Sequence, residues 1–289
     1  MFASRLKLGA LAVATIFCTA CGASTGAEPA RKVPVKPAKN IKLEVTADVR
    51  AVARSGNELA FDLYGRLRET QGNLFFSPAS ISTALAMVYA GARGDTEIQM
   101  ARTLHFELPD ERLLAGFATF SQALNSGGKN YQLTMANRLW GQKSYAFRPK
   151  YLEITREQFG AELATLDFAR SEAARQTINR WIEQQTNDKI ADLIAPGALN
   201  AMTRLVLTNA IYFKGAWRHE FWKNATAAAP FHLSKQKDVQ APLMHQVEDF
   251  PYAETDEAQI VALPYYGGDL SLVVLLPKEI DGLKKLEAD

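Results

Sequence analysis

The stretch LTNAIYFKGAW, Leu207 to Trp217, constrains the fold of this chain more than any other. Leu207, Asn209, Ile211 and Phe213 alternate with Thr208, Ala210 and Tyr212, so a strand here is fit for burial on both faces and needs a packing layer on each side. One amide, Asn209, interrupts that run before the chain breaks into Lys214-Gly215-Ala216-Trp217. A buried amide left unpaired costs roughly 1–3 kcal/mol, so Asn209 requires hydrogen-bonding groups from another element.

The segments before this strand are mostly helical. Leu59, Leu63 and Leu67, joined by Phe61 and Tyr64, predict an amphipathic helix, and NLFF after it a short strand. Ser77-Pro78 is an N-cap with proline at the first helical position. The helix it opens is expected to bury Ile81, Leu85 and Val88, with Ala84, Ala86 and Ala90 allowing close packing. GARGD closes that helix, and Thr96-Glu97-Ile98-Gln99 has the form of a capping box opening the next. Arg93-Gly94-Asp95 also spells a cell-adhesion tripeptide, but capping signals on both sides make it an inter-helix turn. Leu113, Leu114, Phe117, Phe120 and Leu124 mark a further helix. YQLTMANRLW then reads as a strand, PKYLEITREQF as a helix, AELATLDF as a strand and SEAARQTINRWIEQQT as a helix with Ala174, Ile178, Trp181 and Ile182 on one face. Beyond the central strand, FHL, VQAPLMHQ, DFPYAE, QIVALPYY and LSLVVLLP follow at hairpin-like spacing. Helix-rich first and strand-rich later is an α+β layout, expected as a single domain, and 289 residues that are 47% hydrophobic suffice for its core.

The N-terminus is of a different kind. Arg5 and Lys7 precede the apolar run Leu8 to Phe17, too short to span a bilayer and of the form of an export signal. CTACG follows, and Cys21 before Gly22 resembles the lipobox of bacterial lipoproteins, with Cys18 where that pattern usually has Leu. Residues 1–21 are thus expected to be a signal peptide and Cys21 the lipidated residue. Both cysteines lie in this segment, so the exported chain is expected to have no internal disulfide. GAEPARKVPVKPAKN, rich in proline and basic residues, has no apolar face to bury, and residues 22–54 are read as an extended tether before a folded region at 55–289.

Catalytic and metal signatures are not found. His105, His219, His232 and His245 are not at ligand spacings, and no G-x-S-x-G, P-loop or G-x-G-x-x-G motif occurs. Asp110-Glu111 and Asp256-Glu257 read as solvated loop carboxylates. No cofactor is expected. Thirty-three basic against 31 acidic residues, scattered along the chain, disfavour nucleic acid as a partner. A large exported domain without a catalytic constellation points to binding or a change of shape, with an enzyme of dispersed residues as the alternative.

Three segments together resemble the serpin family of serine-protease inhibitors: Asn73 to Phe106, Ile178 to Ile194, and TNAIYFKGAW with Phe221 and Thr226 after it. Family members usually have Gly where this chain has Asp188, a residue able to adopt a left-handed turn at modest cost. The resemblance, from about Glu58 onward, implies a serpin-like fold of helices packed on a large mixed sheet plus smaller β-sheets. It implies that Ser77, Ser80 and Asn209 form the shutter, where the main sheet parts, and that Lys214 and Trp217 belong to the breach at the top of the strand. It also implies that LKKLEAD falls before the family's remaining strands and its reactive-centre loop. The chain is accordingly expected to be a C-terminally truncated fragment with no nameable reactive bond, aggregation-prone at its unpaired edges. In full-length form it is expected to be a monomeric inhibitor, not an enzyme, that captures a serine or cysteine protease by loop insertion. It would be lipid-anchored in the cell envelope or extracellular. The alternative is a non-inhibitory serpin-like surface lipoprotein that binds or scaffolds a ligand.

Overall fold

The structure, a computed structural model, describes residues 45–70, 72–126 and 131–288. The signal-like segment, Cys21 and residues 22–44 of the tether lie outside them. The described residues up to Ser126 together with Leu133–Tyr212 form one compact unit, and Tyr131, Gln132 and the residues from Phe213 onward a second.

The first unit contains helices α1 (Ala47–Leu67), α2 (Pro78–Tyr89), α3 (Asp95–Thr103), α4 (Asp110–Ser126), α5 (Pro149–Phe159) and α6 (Ser171–Gln185). Strands β1 (Tyr131–Gln142), β2 (Leu163–Leu166) and β3 (Leu205–Gly215) form a sheet in the order β2-β1-β3, with β1 and β2 parallel from Leu139↔Leu163 to Gln142↔Leu166. Both faces of the sheet are covered. Leu139 of β1 and Leu205 and Leu207 of β3 pack with Val52, Met87, Leu113, Phe117 and Phe159, whereas Trp140 of β1 and Val206 and Ala210 of β3 pack with Phe168, Ile178 and Ile182. Adjacent residues such as Leu139 and Trp140 therefore serve different cores, as a strand buried on both sides requires. Edge-to-face rings run through the first core, with centroids 5.3 Å apart for Tyr89–Phe106 and 5.5 Å for Phe106–Phe117.

Four sequence expectations are corrected here. The tether does not extend to residue 54: α1 begins at Ala47, Thr46 caps it by accepting from the Val49 amide, and Val49, Ala51 and Val52 are buried. Asn73 to Phe76 is not a strand. No strand pairs with it among the described residues and Phe75 is 52% exposed, because extended backbone becomes a strand only through a ladder partner. In α2 the buried residues are Ser80, Ser82, Thr83, Ala86, Met87 and Tyr89; Ile81 and Leu85 pack half-buried against the first core, while Val88 departs from the expectation at 42% exposed. This helix is apolar nearly all round, so periodicity alone could not set its phase. The capping box at Thr96 does not form either: the N-cap lies two residues earlier, at Gly94 with φ 62, and has no side-chain cap.

The second unit holds the antiparallel pair β4 (Ala227–Ser234) and β5 (Lys237–Leu243), then β6 (Tyr252–Glu254), β7 (Ala258–Pro264) and β8 (Ser271–Pro277) as an antiparallel sheet in that order, and the short helix α7 (Leu283–Leu286). The α+β layout is thus observed, helices first and hairpin-linked strands after.

Candidate functional site

Asn209 lies on the face of β3 that also carries Leu205 and Leu207, opposite α2. The serine-rich start of α2 supplies its partner: the Ser80 hydroxyl donates to Asn209 Oδ1. The Asn209 amide then donates to Asn137 Oδ1 on β1 at 2.5 Å, so both ends of the interrupting amide are engaged. Ser77 takes part indirectly. As the N-cap of α2 its hydroxyl accepts from the Ser80 backbone amide at 3.3 Å, fixing the turn from which Ser80 reaches the strand. Every member of this Ser–Asn–Asn relay is neutral, so it can be broken and remade without moving a charge through the core.

Asn137 was not singled out from the sequence, although its signal matches that of Asn209. In YQLTMANRLW it is the one amide on the Leu133, Met135, Leu139 side of a strand otherwise fit for burial. The opposite face also carries polar contacts that periodicity does not reveal. Trp140 Nε1 donates to Thr208 Oγ1 at 2.9 Å, and that hydroxyl donates to the Arg138 carbonyl at 3.3 Å, pinning β3 to β1. The Arg138 guanidinium sits 4.9 Å from the Trp140 ring and 5.5 Å from that of Trp181 on α6, and the two indoles meet edge to face at 5.6 Å. From the middle of α6, the Asn179 side chain both donates to the Ile194 carbonyl at 3.0 Å and accepts from its amide at 2.8 Å. Asp188, where a left-handed turn is expected, has φ 59.

Lys214 and Trp217 fall in the second unit, and only Trp217 joins a cluster there. Its indole stacks on Tyr265 at 4.5 Å and 12° and meets Phe221 edge to face at 6.0 Å, and its backbone bridges Tyr265. Phe213 abuts Tyr265 at 4.9 Å. Gly215 is required beside these rings, since a Cβ there would lie 2.8 Å from both Phe213 Cζ and Tyr265 Cδ1. Lys214 is exposed, and its side chain makes no hydrogen bond or ion pair among the described residues.

Three of the histidines lie beside carboxylates rather than one another: His105 Nε2 is 2.8 Å from Asp62, His232 Nδ1 2.7 Å from Asp238 and His219 Nδ1 3.7 Å from Glu248. Among the described residues no three His, Cys, Asp or Glu side chains converge as metal ligands. The resolved titration shifts lie outside the relay. Tyr89, at the end of α2, donates to Asp110 Oδ1 at 2.7 Å, and burial, reinforced by that carboxylate, pushes its phenol up to about 12. Such a constellation can brace and release a strand; it contains no nucleophile, base or oxyanion donor set.

Residues 54–289 match the family described as Serpin (serine protease inhibitor). The chain belongs to the serpin family. This serpin is 46% identical over 245 residues to the leukocyte elastase inhibitor of Bos taurus, a match covering 82% of this chain and 64% of that protein. It is 39% identical to an uncharacterized serpin-like protein of Methanosarcina acetivorans, covering 82% of this chain and 57% of the other. Among solved structures, emu (Dromaius novaehollandiae) ovalbumin superposes with TM-score 0.80 at 32% identity, covering 82% of this serpin and 66% of ovalbumin. The cleaved serpin 42Da gives TM-score 0.79 at 34% identity, covering 83% and 66%. The chain therefore spans somewhat under two thirds of the length of these curated relatives, 64% in the bovine case.

Proposed function

We propose that this serpin acts, together with the portion of the relatives' length that these 289 residues do not span, as an inhibitor of a serine or cysteine endopeptidase. It works as a monomer and not as an enzyme: the protease cleaves a bait loop, which enters the main sheet as an added strand beside β3 and holds the protease captive. The observation that carries this reading is the Ser80–Asn209–Asn137 relay. Asn209 sits on the strand at the end of the order β2-β1-β3, so a relay of neutral hydrogen bonds holds the border where a further strand would pair. Support also comes from the family's description and from the names of the leukocyte elastase inhibitors it resembles. Ser77, Ser80 and Asn209 then serve as shutter residues and Lys214 and Trp217 as breach residues. The test is to express the complete reading frame, incubate it with serine elastases and cysteine proteases, and run a denaturing gel. A band at the summed mass of the two proteins is expected; cleavage of the serpin with no such band overturns the reading.

The same proposal places the protein outside the cytoplasm, held to the cell envelope through a lipid on Cys21 at the end of the apolar run Leu8 to Phe17. Metabolic labelling with a palmitate analogue tests it, with loss of label in Cys21→Ala expected and unchanged label contradicting it.

A further inference from the structure

The cores described above are closely packed, but beside α2 there is a cavity of about 170 Å³ walled by α1, α2 and α4. Its lining includes Val52 and Gly56 from α1, Ala79 and Ser82 from α2, and Phe117 and Phe120 from α4. Two further observations converge on it. Gly56 is buried within α1, yet a Cβ built on it meets nothing within 4 Å. One α4 contact away the same helices touch: a Cβ on Gly116 would lie 2.9 Å from Val52 Cγ2. The helices thus close at Gly116 and part at Gly56. The second observation is Ser82. It is 1% exposed, and its hydroxyl has no hydrogen-bond partner among the described residues, although the neighbouring Thr83 bonds back to the Ala79 carbonyl at 2.8 Å as a helical hydroxyl normally does. A buried hydroxyl left unpaired is costly, so one persisting against a cavity wall marks a place for a polar atom.

We propose that this cavity is a binding site for a small aromatic alcohol of the phenol class. The two phenylalanines and the aliphatic wall take the ring, and Ser82 Oγ exchanges a hydrogen bond with the hydroxyl. The size agrees with the chemistry, because an apolar cavity of about 150 Å³ is large enough to hold one benzene ring. A mainly apolar lining from three helices, with Ser82 and Asn57 as its polar residues, gives a site that accepts a hydroxyl and disfavours charge. The inference concerns the cavity alone and stands whether or not the chain inhibits a protease. The face of α2 bearing Ser80 engages Asn209, while Ala79 and Ser82 line the cavity, so the site shares a helix with the relay.

The test is calorimetric or NMR titration of the full chain with phenol and, separately, with toluene, which has the same number of non-hydrogen atoms and no hydroxyl. Saturable phenol binding is expected at about 1 mM or below, with toluene weaker by roughly five-fold, the worth of one net hydrogen bond. Ser82→Ala should abolish that preference while leaving toluene binding in place. Gly56→Leu, which fills the void, should abolish binding of both without lowering the unfolding midpoint, because leucine is a better helix former than glycine. Absence of saturable binding to the wild-type chain, as for a cavity that holds only water, overturns the proposal. So does binding that survives Gly56→Leu, or a phenol preference unchanged in Ser82→Ala.

Discussion

The hydroxyl of Ser80, in the first turn of α2, donates to the side-chain oxygen of Asn209 in the middle of β3, and Asn209 donates in turn to Asn137 on β1. Helix, border strand and neighbouring strand are thereby joined through a single amide. Asn209→Ala strands two partners at once and should lower stability by about 2–3 kcal/mol in urea unfolding. In a double-mutant cycle, Ser80→Ala and Asn209→Ala should couple by about 1 kcal/mol. Effects that simply add would show that the contact contributes nothing of its own.

On the other face of the same strands, Thr208 is the acceptor for the buried Trp140 indole. Thr208→Val keeps the shape and removes the oxygen, leaving Trp140 Nε1 without that partner, so a loss of about 1–2 kcal/mol is expected. Adding Trp140→Phe should cost less in the Thr208→Val background than in the wild type, since the donor is then already stranded. Equal costs in both backgrounds would mean that the bond does not hold β3 to β1.

Tyr89 makes an alkaline signature. Folding raises its phenol from its ordinary value near 10 to about 12 through burial and the Asp110 carboxylate, so the folded chain holds that proton more tightly than the unfolded chain. The stabilisation is therefore complete below pH ~10 and is lost as the pH rises from there through ~12. Tyr89→Phe should be less stable than the wild type at pH ~9, and the gap should narrow towards pH ~12. A gap that is constant across this window, measured as urea midpoints, would show that folding does not raise the Tyr89 phenol.

Much of this architecture can be read from residue patterns, and the exceptions have physical causes. Pro149 fixed the start of α5, and the alternation in Leu207 to Phe213 announced a strand covered on both sides. Asn209 was legible as one amide in an apolar strand and Ser77 as an N-cap, whereas Ser80 was singled out only by the resemblance to the serpin family. Asn137 carried the same signal as Asn209, but its strand gave no turn or cap to draw attention to it. The phase of α2 was hidden because nearly every residue of that helix is apolar or small. Asn73 to Phe76 has the composition of a strand but lacks a ladder partner among the described residues, and pairing is a property of two segments, not one. The Arg138–Trp140–Trp181 stack joins residues of two distant elements, a proximity that only the fold creates.

The most direct measurement is the unfolding midpoint of the protein from its complete reading frame, before and after limited proteolysis at the proposed bait loop. If β3 borders a gap that admits the cleaved loop as a new strand, the midpoint rises after cleavage, and Asn209→Ala alters the size of that rise. A cleaved protein that melts at the same temperature as the intact one, or lower, would contradict the account.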